Sequence, residues 1–155
     1  MGVKKLRSVF MQYAIFLALA VFIVIAVNVG AYLFGVNMGA IYPLNSISTE
    51  IENVKGNLQS IEQLSENDIP PLCEYVMFTK DGQYEVGSIT PEDSTLVWNI
   101  CIENGRTSGN PYLYSVIDRE DEVLILRYRM TAQFRNKTLR SIFPSADLLL
   151  IIIIL

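Results

Sequence analysis

The stretch from Val9 to Val36 carries no charged residue over 28 positions, and it constrains the fold more than any other feature of the chain. A helix needs about 20 apolar residues to cross the hydrocarbon core, so this segment can span a bilayer with some tilt. The basic motif KKLR precedes this segment. The positive-inside rule therefore places residues 1–8 in the cytoplasm and the residues after the span on the extracytoplasmic side. The alternative is a cleaved signal peptide, because Val29–Ala31 offers small residues suited to cleavage.

A second apolar segment, Leu148–Leu155, closes the sequence. Its eight aliphatic residues are too few to cross a membrane and too many to leave in water. We therefore expect residues 146–155 to be the start of a truncated second transmembrane helix, with Ser145 as its N-cap and Asp147 in its first turn. Residues 37–145 would then form one extracytoplasmic domain between two spans in the lipid bilayer.

Composition excludes several kinds of site. The chain has no histidine, so a Ser-His-Asp triad and a histidine-ligated metal are both excluded. Its two cysteines are too few for a four-cysteine zinc site. A disulfide between Cys73 and Cys101 would tie the start of a hairpin to a helix, but we favour two free thiols because Cys101 falls on the apolar face of that helix. The acidic word DREDE (118–122) lacks the spacing of a calcium loop and is typical of a solvated turn. We expect no catalytic residue, no metal, no cofactor and no nucleic-acid partner.

Two patterns are typical of helix association. Gly35 and Gly39 form a G-x-x-x-G, a spacing that lets helix backbones approach closely in a membrane. After it, apolar residues alternate three and four apart, which predicts a helical seam that could pair with a second copy. The seam residues proposed for dimerisation are Ile47, Ile51, Val54 and Leu58. The alternative is that this helix, over about 44–66, lies on the sheet of its own domain, and both can hold along different parts of the seam.

The remaining elements predict a mixed fold. A hairpin is expected from Tyr75–Thr79 and Tyr84–Ile89 around the turn Asp81-Gly82. A helix over 91–104 follows, with Thr90 as its N-cap and Pro91 in the first position. Two strands, Tyr112–Asp118 and Val123–Phe134, and a short helix in NKTLRSIF complete the chain. Helices on one side of a small antiparallel sheet make an α+β sandwich, and this order matches a PAS-like (Cache-type) domain.

Three sequence segments resemble a known protein family. FTKDGQYEVGSI is similar to the strand–DG–strand word of many bacterial sensor kinases. YSVIDREDEVLILRYRMTAQF, followed by LRSIFPSADLLLIIII, resembles the membrane-proximal end of lantibiotic-sensing histidine kinases of the nisin and subtilin type. The resemblance covers Tyr75 to Leu155. It implies a homodimeric receptor that passes a signal to a cytoplasmic kinase and, through it, to a response regulator. The phosphorylated histidine and the ATP site of that kinase lie outside this sequence.

The charge pattern suggests the signal. Residues 50–104 carry eleven acids against two bases, and such a surface attracts a cationic peptide. A small molecule could instead enter a pocket between the 91–104 helix and the sheet; the alternatives are a plain solvated surface and aromatic side chains that fill the core. The candidate ligand-binding residues are Glu74, Asp81, Glu85, Glu92, Asp93, Trp98, Tyr112, Tyr114 and Tyr128.

Two other classes of function compete with the sensor hypothesis. A long apolar N-terminal helix with a small α+β head is also typical of a membrane-anchored structural or pilin-like protein. The same domain could equally be the input region of another transmembrane receptor.

Overall fold

The computed structural model describes residues 2–143, 145 and 146, with side chains from Ser8 onward. The helices and strands are α1 (Gly2–Asn37), β1 (Ile41–Tyr42), α2 (Leu44–Ser60), β2 (Glu74–Thr79), β3 (Tyr84–Gly87), α3 (Pro91–Trp98), β4 (Ser108–Gly109), β5 (Tyr112–Asp118), β6 (Glu122–Arg129), β7 (Gln133–Phe134) and α4 (Lys137–Ile142). A 3-10 turn at Glu66–Asp68 precedes β2, and a π-helical turn at Asn99–Glu103 extends α3. The second transmembrane helix predicted from Asp147 onward lies outside the described residues.

The helix α1 is long and apolar on all sides. Its segment Ser8–Asn37 has a mean hydropathy of 2.7 and is 0% buried by the rest of the chain. Among the described residues, this is the one helix long and apolar enough to cross a membrane, a test that a signal sequence would also pass. It ends at Asn37, and Gly39 then takes a left-handed conformation with φ of 66°, which glycine adopts at little cost.

Five strands form an antiparallel sheet in the order β3-β2-β6-β5-β4. The central strand β6 runs against both β2 and β5, which makes it the most protected strand. Its residues Val123, Leu124, Ile125 and Leu126 are all buried. A separate two-stranded ladder joins β1 to β7.

Helices cover both faces of this sheet. The face under α2 collects Ile47, Ile51 and Leu58 with alternate residues of β2, β5 and β6. The opposite face, under α3, collects Val97 and Cys101 with the other alternate residues of the same strands. The prediction that the helices lie on one side of the sheet was therefore wrong. A strand in which every residue is apolar, such as Val123–Leu126, is buried on both faces of the sheet. A strand with one face in water instead alternates apolar and polar residues.

Several local predictions are confirmed. The hydroxyl of Thr90 accepts a 3.3 Å hydrogen bond from the amide of Asp93 at the start of α3, as its N-cap position predicted. The short helix predicted in NKTLRSIF is α4, and the structure adds that Asn136 caps it by accepting hydrogen bonds from the Thr138 and Leu139 amides. The bounds of β5 agree with the prediction, and those of the hairpin strands differ by one or two residues.

Two elements are shorter than predicted. The helix α2 stops at Ser60 instead of running to residue 66, and the chain turns at Ile61 into extended backbone. The long strand expected from Val123 to Phe134 divides into β6 and β7, because the chain leaves the sheet after Arg129 and β7 pairs with β1 instead.

Candidate functional site

The first and last segments of the domain meet beside the C-terminal end of α1. The amide of Arg135 donates a 2.9 Å hydrogen bond to the carbonyl of Ala40, next to the β1–β7 pair. The amide of Ala146 donates to the carbonyl of Ala132 at 2.8 Å. A small apolar cluster covers this junction, formed by Tyr32, Val36, Ile41, Ala132, Phe134, Phe143 and Ala146. The segments that contain β7 and α4 thus contact the C-terminal end of α1 and the residues that follow it.

The predicted acidic residues lie on neighbouring exposed segments. Asp81 and Glu85 belong to the β2–β3 hairpin, while Glu92 and Asp93 lie in the first turn of α3. The hairpin and α3 touch, because a β-carbon added at Gly82 would lie 2.7 Å from Cε2 of Trp98. All four carboxylates are exposed. These four residues thus lie on two segments that contact each other at Gly82 and Trp98, and we call the four residues together the hairpin surface.

Two of the predicted acids are engaged by a cation. Arg127 approaches Glu74 with its Nε 2.7 Å from Oε2, and its Nη1 lies 4.0 Å from Oδ2 of Asp93. Among the described residues, no basic group lies within ion-pair distance of Asp81, Glu85 or Glu92. The unneutralised charge of the hairpin surface is therefore concentrated on these three residues.

Aromatic side chains pack between α3 and the sheet, where a ligand pocket is predicted. Tyr114 is 6% exposed and packs with Val97 and Cys101 in the core. Trp98 packs on Phe78, with ring centroids 4.9 Å apart. Burial raises the pKa of the Tyr114 hydroxyl, and the nearby Arg127 partly offsets this. Tyr114 and Trp98 thus pack in the core of this face, and their role in ligand binding remains a prediction.

A cavity of ≈ 440 Å³ occurs elsewhere, where β2, β6, β7 and α4 meet. It brings together three of the predicted ligand residues, Glu74, Tyr112 and Tyr128. Sequence reasoning missed the rest of its polar lining, formed by Arg127, Arg129, Gln133, Lys137, Arg140 and Ser141. The sequence signal for this lining is the basic excess of residues 106–140, which carry seven bases against four acids.

The predicted dimerisation residues have contacts within the chain. Ile47, Ile51 and Leu58 are 0–2% exposed against their own sheet, which is the alternative the seam left open. A β-carbon at Gly35 would lie 2.7 Å from Cδ1 of Ile41, while Gly39 lies beyond the helix end. The two glycines therefore do not share one helix face. Val54 is half-buried, and pairing of two copies remains a prediction.

Both cysteines are free thiols on opposite faces of the sheet. Burial raises the pKa of Cys73 to about 12, with a smaller contribution from the Glu50 carboxylate. Burial raises the pKa of Cys101 to about 11. In DREDE, Asp118 pairs with Lys80 and Glu122 with Arg119. Within the described residues, no group of three His, Cys, Asp or Glu side chains could hold a metal.

The chain is thus an α+β domain joined to a candidate membrane helix, with its first and last segments tied together at that helix. It is 25% identical to the sensor histidine kinase SpaK of Bacillus subtilis over 155 residues, which are 99% of this chain and 34% of that protein. The chain therefore corresponds to about a third of the relative it matches. No protein-family model and no solved structure matches it. The similarity relates the chain to a sensor-kinase region, and with α1 it indicates a membrane protein.

Proposed function

We propose that this chain is the signal-sensing input region of a two-component sensor histidine kinase. The observation that carries the proposal is the similarity to a sensor histidine kinase over 99% of the chain. In this proposal α1 is the first transmembrane helix, residues 1–8 are cytoplasmic, and the domain of residues 37–145 is an extracytoplasmic PAS-like domain. A sheet with helices on both faces and the strand order β3-β2-β6-β5-β4 supports the PAS-like assignment.

Signal transmission would use the junction beside α1. Ligand binding that displaced β6 or α4 would move β7, which is bonded to the segment after α1 through Arg135 and Ala40. Because packed interfaces tend to change between discrete arrangements, a small displacement there would shift the two spans against each other. The kinase region, the response regulator and a second copy of the receptor belong to this proposal.

The proposed signal is a cationic peptide outside the cell. The hairpin surface supports this, since Asp81, Glu85 and Glu92 are exposed and pair with no base in the described part of the chain. Such a surface accelerates encounter with a cation and loses this effect as salt screens it. The lantibiotic-sensing resemblance points to the same class of ligand.

A chimeric kinase tests the signalling role. This chain would replace the aligned third of the Bacillus subtilis relative, and phosphate transfer to that kinase's response regulator would be measured in membrane vesicles. We expect phosphorylation to change at least threefold when a lysine-rich peptide is added outside. A kinase that is active but indifferent to every peptide and small molecule applied would contradict a sensing role and favour a structural one.

Peptide binding can be measured separately through the single tryptophan. Trp98 packs against the hairpin at Gly82, so its fluorescence should report a peptide bound there. The variant D81N/E85Q/E92Q should weaken binding at least tenfold in phosphatidylcholine nanodiscs. The control E62Q/E66Q/D121N removes the same charge from exposed acids elsewhere and should change affinity less than twofold. Equal losses in both variants would mean that only net charge matters.

A further inference from the structure

The cavity at the β7–α4 end of the domain has a charge opposite to that of the hairpin surface. Four basic side chains line it, Arg127, Arg129, Lys137 and Arg140, against the single carboxylate of Glu74. Glu74 is already bonded to Arg127 at 2.7 Å. Within the part of the chain that the structure describes, no carboxylate lies within 4.0 Å of the other three cations. Like charges gathered around one cavity repel each other, and an anion bound there would relieve that repulsion.

Two of these cations are held in place by an aromatic ring. The guanidinium carbon of Arg127 lies 4.5 Å from the ring centroid of Tyr112, and that of Arg129 lies 5.8 Å from it. Such stacking fixes the plane of a guanidinium. Arg127 already donates to Glu74, whereas no described carboxylate pairs with Arg129, so the N–H edge of Arg129 is the one available to a ligand. Guanidinium groups arranged in this way match the paired oxygens of a phosphate.

A buried donor without an acceptor provides an independent observation. Gln133 lines the cavity and is 6% exposed, and its side-chain Nε2 has no hydrogen-bond partner among the residues that the structure describes. An unmade hydrogen bond of this kind costs about 1–3 kcal/mol, so such groups are rare in folded proteins. The Nε2 atom is itself closed to solvent, so an oxygen-rich ligand in the cavity would supply the missing acceptor once the Gln133 side chain rotated toward it.

The position of the cavity indicates where the anion comes from. Gln133 pairs in register with Tyr42, which follows the end of α1 by five positions. Lys137 and Arg140 belong to α4, whose last turn packs next to the same helix end through Phe143. With α1 in a bilayer, the cavity would lie close to the phosphate layer of the lipid headgroups.

We propose that this cavity is a phosphate-binding site, filled by the headgroup of an anionic phospholipid or by free phosphate. Arg129, Lys137 and Arg140 supply the charge, and the Gln133 amide donates to a phosphate oxygen. The bound anion would join β6, β7 and α4 at the point where the domain meets the membrane helix. This site is distinct from the hairpin surface and does not depend on the peptide hypothesis.

Calorimetric titration of the full chain in an uncharged detergent tests the proposal. The probes are dihexanoyl phosphatidylglycerol, dihexanoyl phosphatidylcholine and inorganic phosphate. We expect the phosphatidylglycerol or inorganic phosphate to bind at least tenfold more tightly than the phosphatidylcholine. Competition distinguishes the sources, because inorganic phosphate displaces phosphatidylglycerol only if the phosphate group itself supplies most of the affinity. Equal binding of all three probes, or no binding of either anion, would overturn the proposal.

Variants locate the site. The double variant R129Q/R140Q should lose at least tenfold in anion affinity. The control K55Q/R106Q removes two positive charges from residues that do not line the cavity and should lose less than twofold. Equal losses would make the effect one of net charge and would overturn the proposal.

The variant Q133M separates binding from folding. It removes the unpartnered donor at similar volume, so the ligand-free protein should melt no lower than wild type. Its melting temperature should, however, rise less than that of wild type when the tighter-binding anion is added. An unchanged anion-induced shift would contradict the assigned role of Gln133. None of these measurements involves signalling or a peptide. A negative result for the phosphate site would therefore not contradict the sensor proposal, and a negative result for the sensor proposal would not contradict the phosphate site.

Discussion

The guanidinium of Arg119 donates a 2.7 Å hydrogen bond to the main-chain carbonyl of Leu58, in the last turn of α2. A second bond of 2.6 Å reaches the carbonyl of Ile61, and the Arg119 Nε lies 3.3 Å from Glu122. The last carbonyls of a helix lack partners within it, and a cation there also interacts favourably with the helix dipole. Arg119, in the turn between β5 and β6, therefore caps the C-terminal end of α2 and holds that end against the sheet.

Replacing Arg119 with alanine should destabilise the domain. Two charge-assisted hydrogen bonds are lost in a buried setting, so we expect the free energy of unfolding to fall by about 3 kcal/mol. Urea unfolding of the full chain in detergent, followed by Trp98 fluorescence, measures this change. R119K should be intermediate, because an ammonium group cannot reproduce both bonds of the guanidinium fork. R106A, at an exposed position, is the control, and a loss equal to that of R119A would contradict the capping role.

Gly87 is required by a close approach of two backbones. A β-carbon at this position would lie 2.5 Å from the carbonyl oxygen of Tyr75 and 2.8 Å from Cα of Val76. Because those atoms belong to the neighbouring strand, G87A should force β3 away from β2 and lower the free energy of unfolding by about 2 kcal/mol.

Gly56 provides the matched control for G87A. It is exposed on α2 with no atom within 4 Å of an added β-carbon. G56A should therefore raise the free energy of unfolding by up to about 1 kcal/mol through helix propensity. The same urea titration measures both variants. A destabilising G56A or a neutral G87A would contradict the packing described for these helices and strands.

The two thiols should react slowly in the folded protein. The thiolate is the reactive form, and burial raises the pKa of Cys73 to about 12 and of Cys101 to about 11, from an ordinary value of 9.0. Iodoacetamide should therefore label the native chain slowly at pH 8 and label the urea-unfolded chain rapidly. C73S and C101S assign each rate to one thiol. Rapid labelling of either thiol in the folded chain would show that it is more accessible than described.

The same pKa values predict a loss of stability at high pH. The folded state keeps both thiols protonated, while the unfolded chain releases these protons near pH 9. The free energy of unfolding should therefore fall progressively from about pH 9 until the folded thiols titrate at about pH 11 to 12. Below pH 9 the two cysteines contribute no pH dependence to stability. Urea midpoints measured from pH 7 to 11 should fall less steeply in C73S/C101S than in wild type.

Local patterns predicted the elements better than their assembly. The Thr90 cap, the Asp81-Gly82 turn and the bounds of β5 depend on neighbouring residues, and the sequence displays these directly. The capping by Arg119 and the cavity around Gln133 depend on residues far apart in sequence, and no spacing rule identifies them. The seam of α2 predicted an apolar face correctly, but an apolar face packs equally well on a sheet or on another helix.

The junction at Gly35 should couple α1 to the domain. A β-carbon there would lie 2.7 Å from Cδ1 of Ile41, the first residue of β1. G35V should therefore displace Ile41 and weaken the β1–β7 ladder. In hydrogen exchange of the full chain in detergent, the amide of Arg135, which donates to Ala40, should exchange at least tenfold faster.

Two further variants distinguish this local effect from helix association. G30V places the same side chain on α1 where no atom lies within 4 Å, and it should leave the exchange of the Arg135 amide unchanged. The double variant G35V/I41A removes the side chain that the valine would strike and should restore part of the protection. If G35V instead left the exchange unchanged but dissociated a dimer in analytical ultracentrifugation, Gly35 would belong to a contact between two copies, as its G-x-x-x-G spacing predicted.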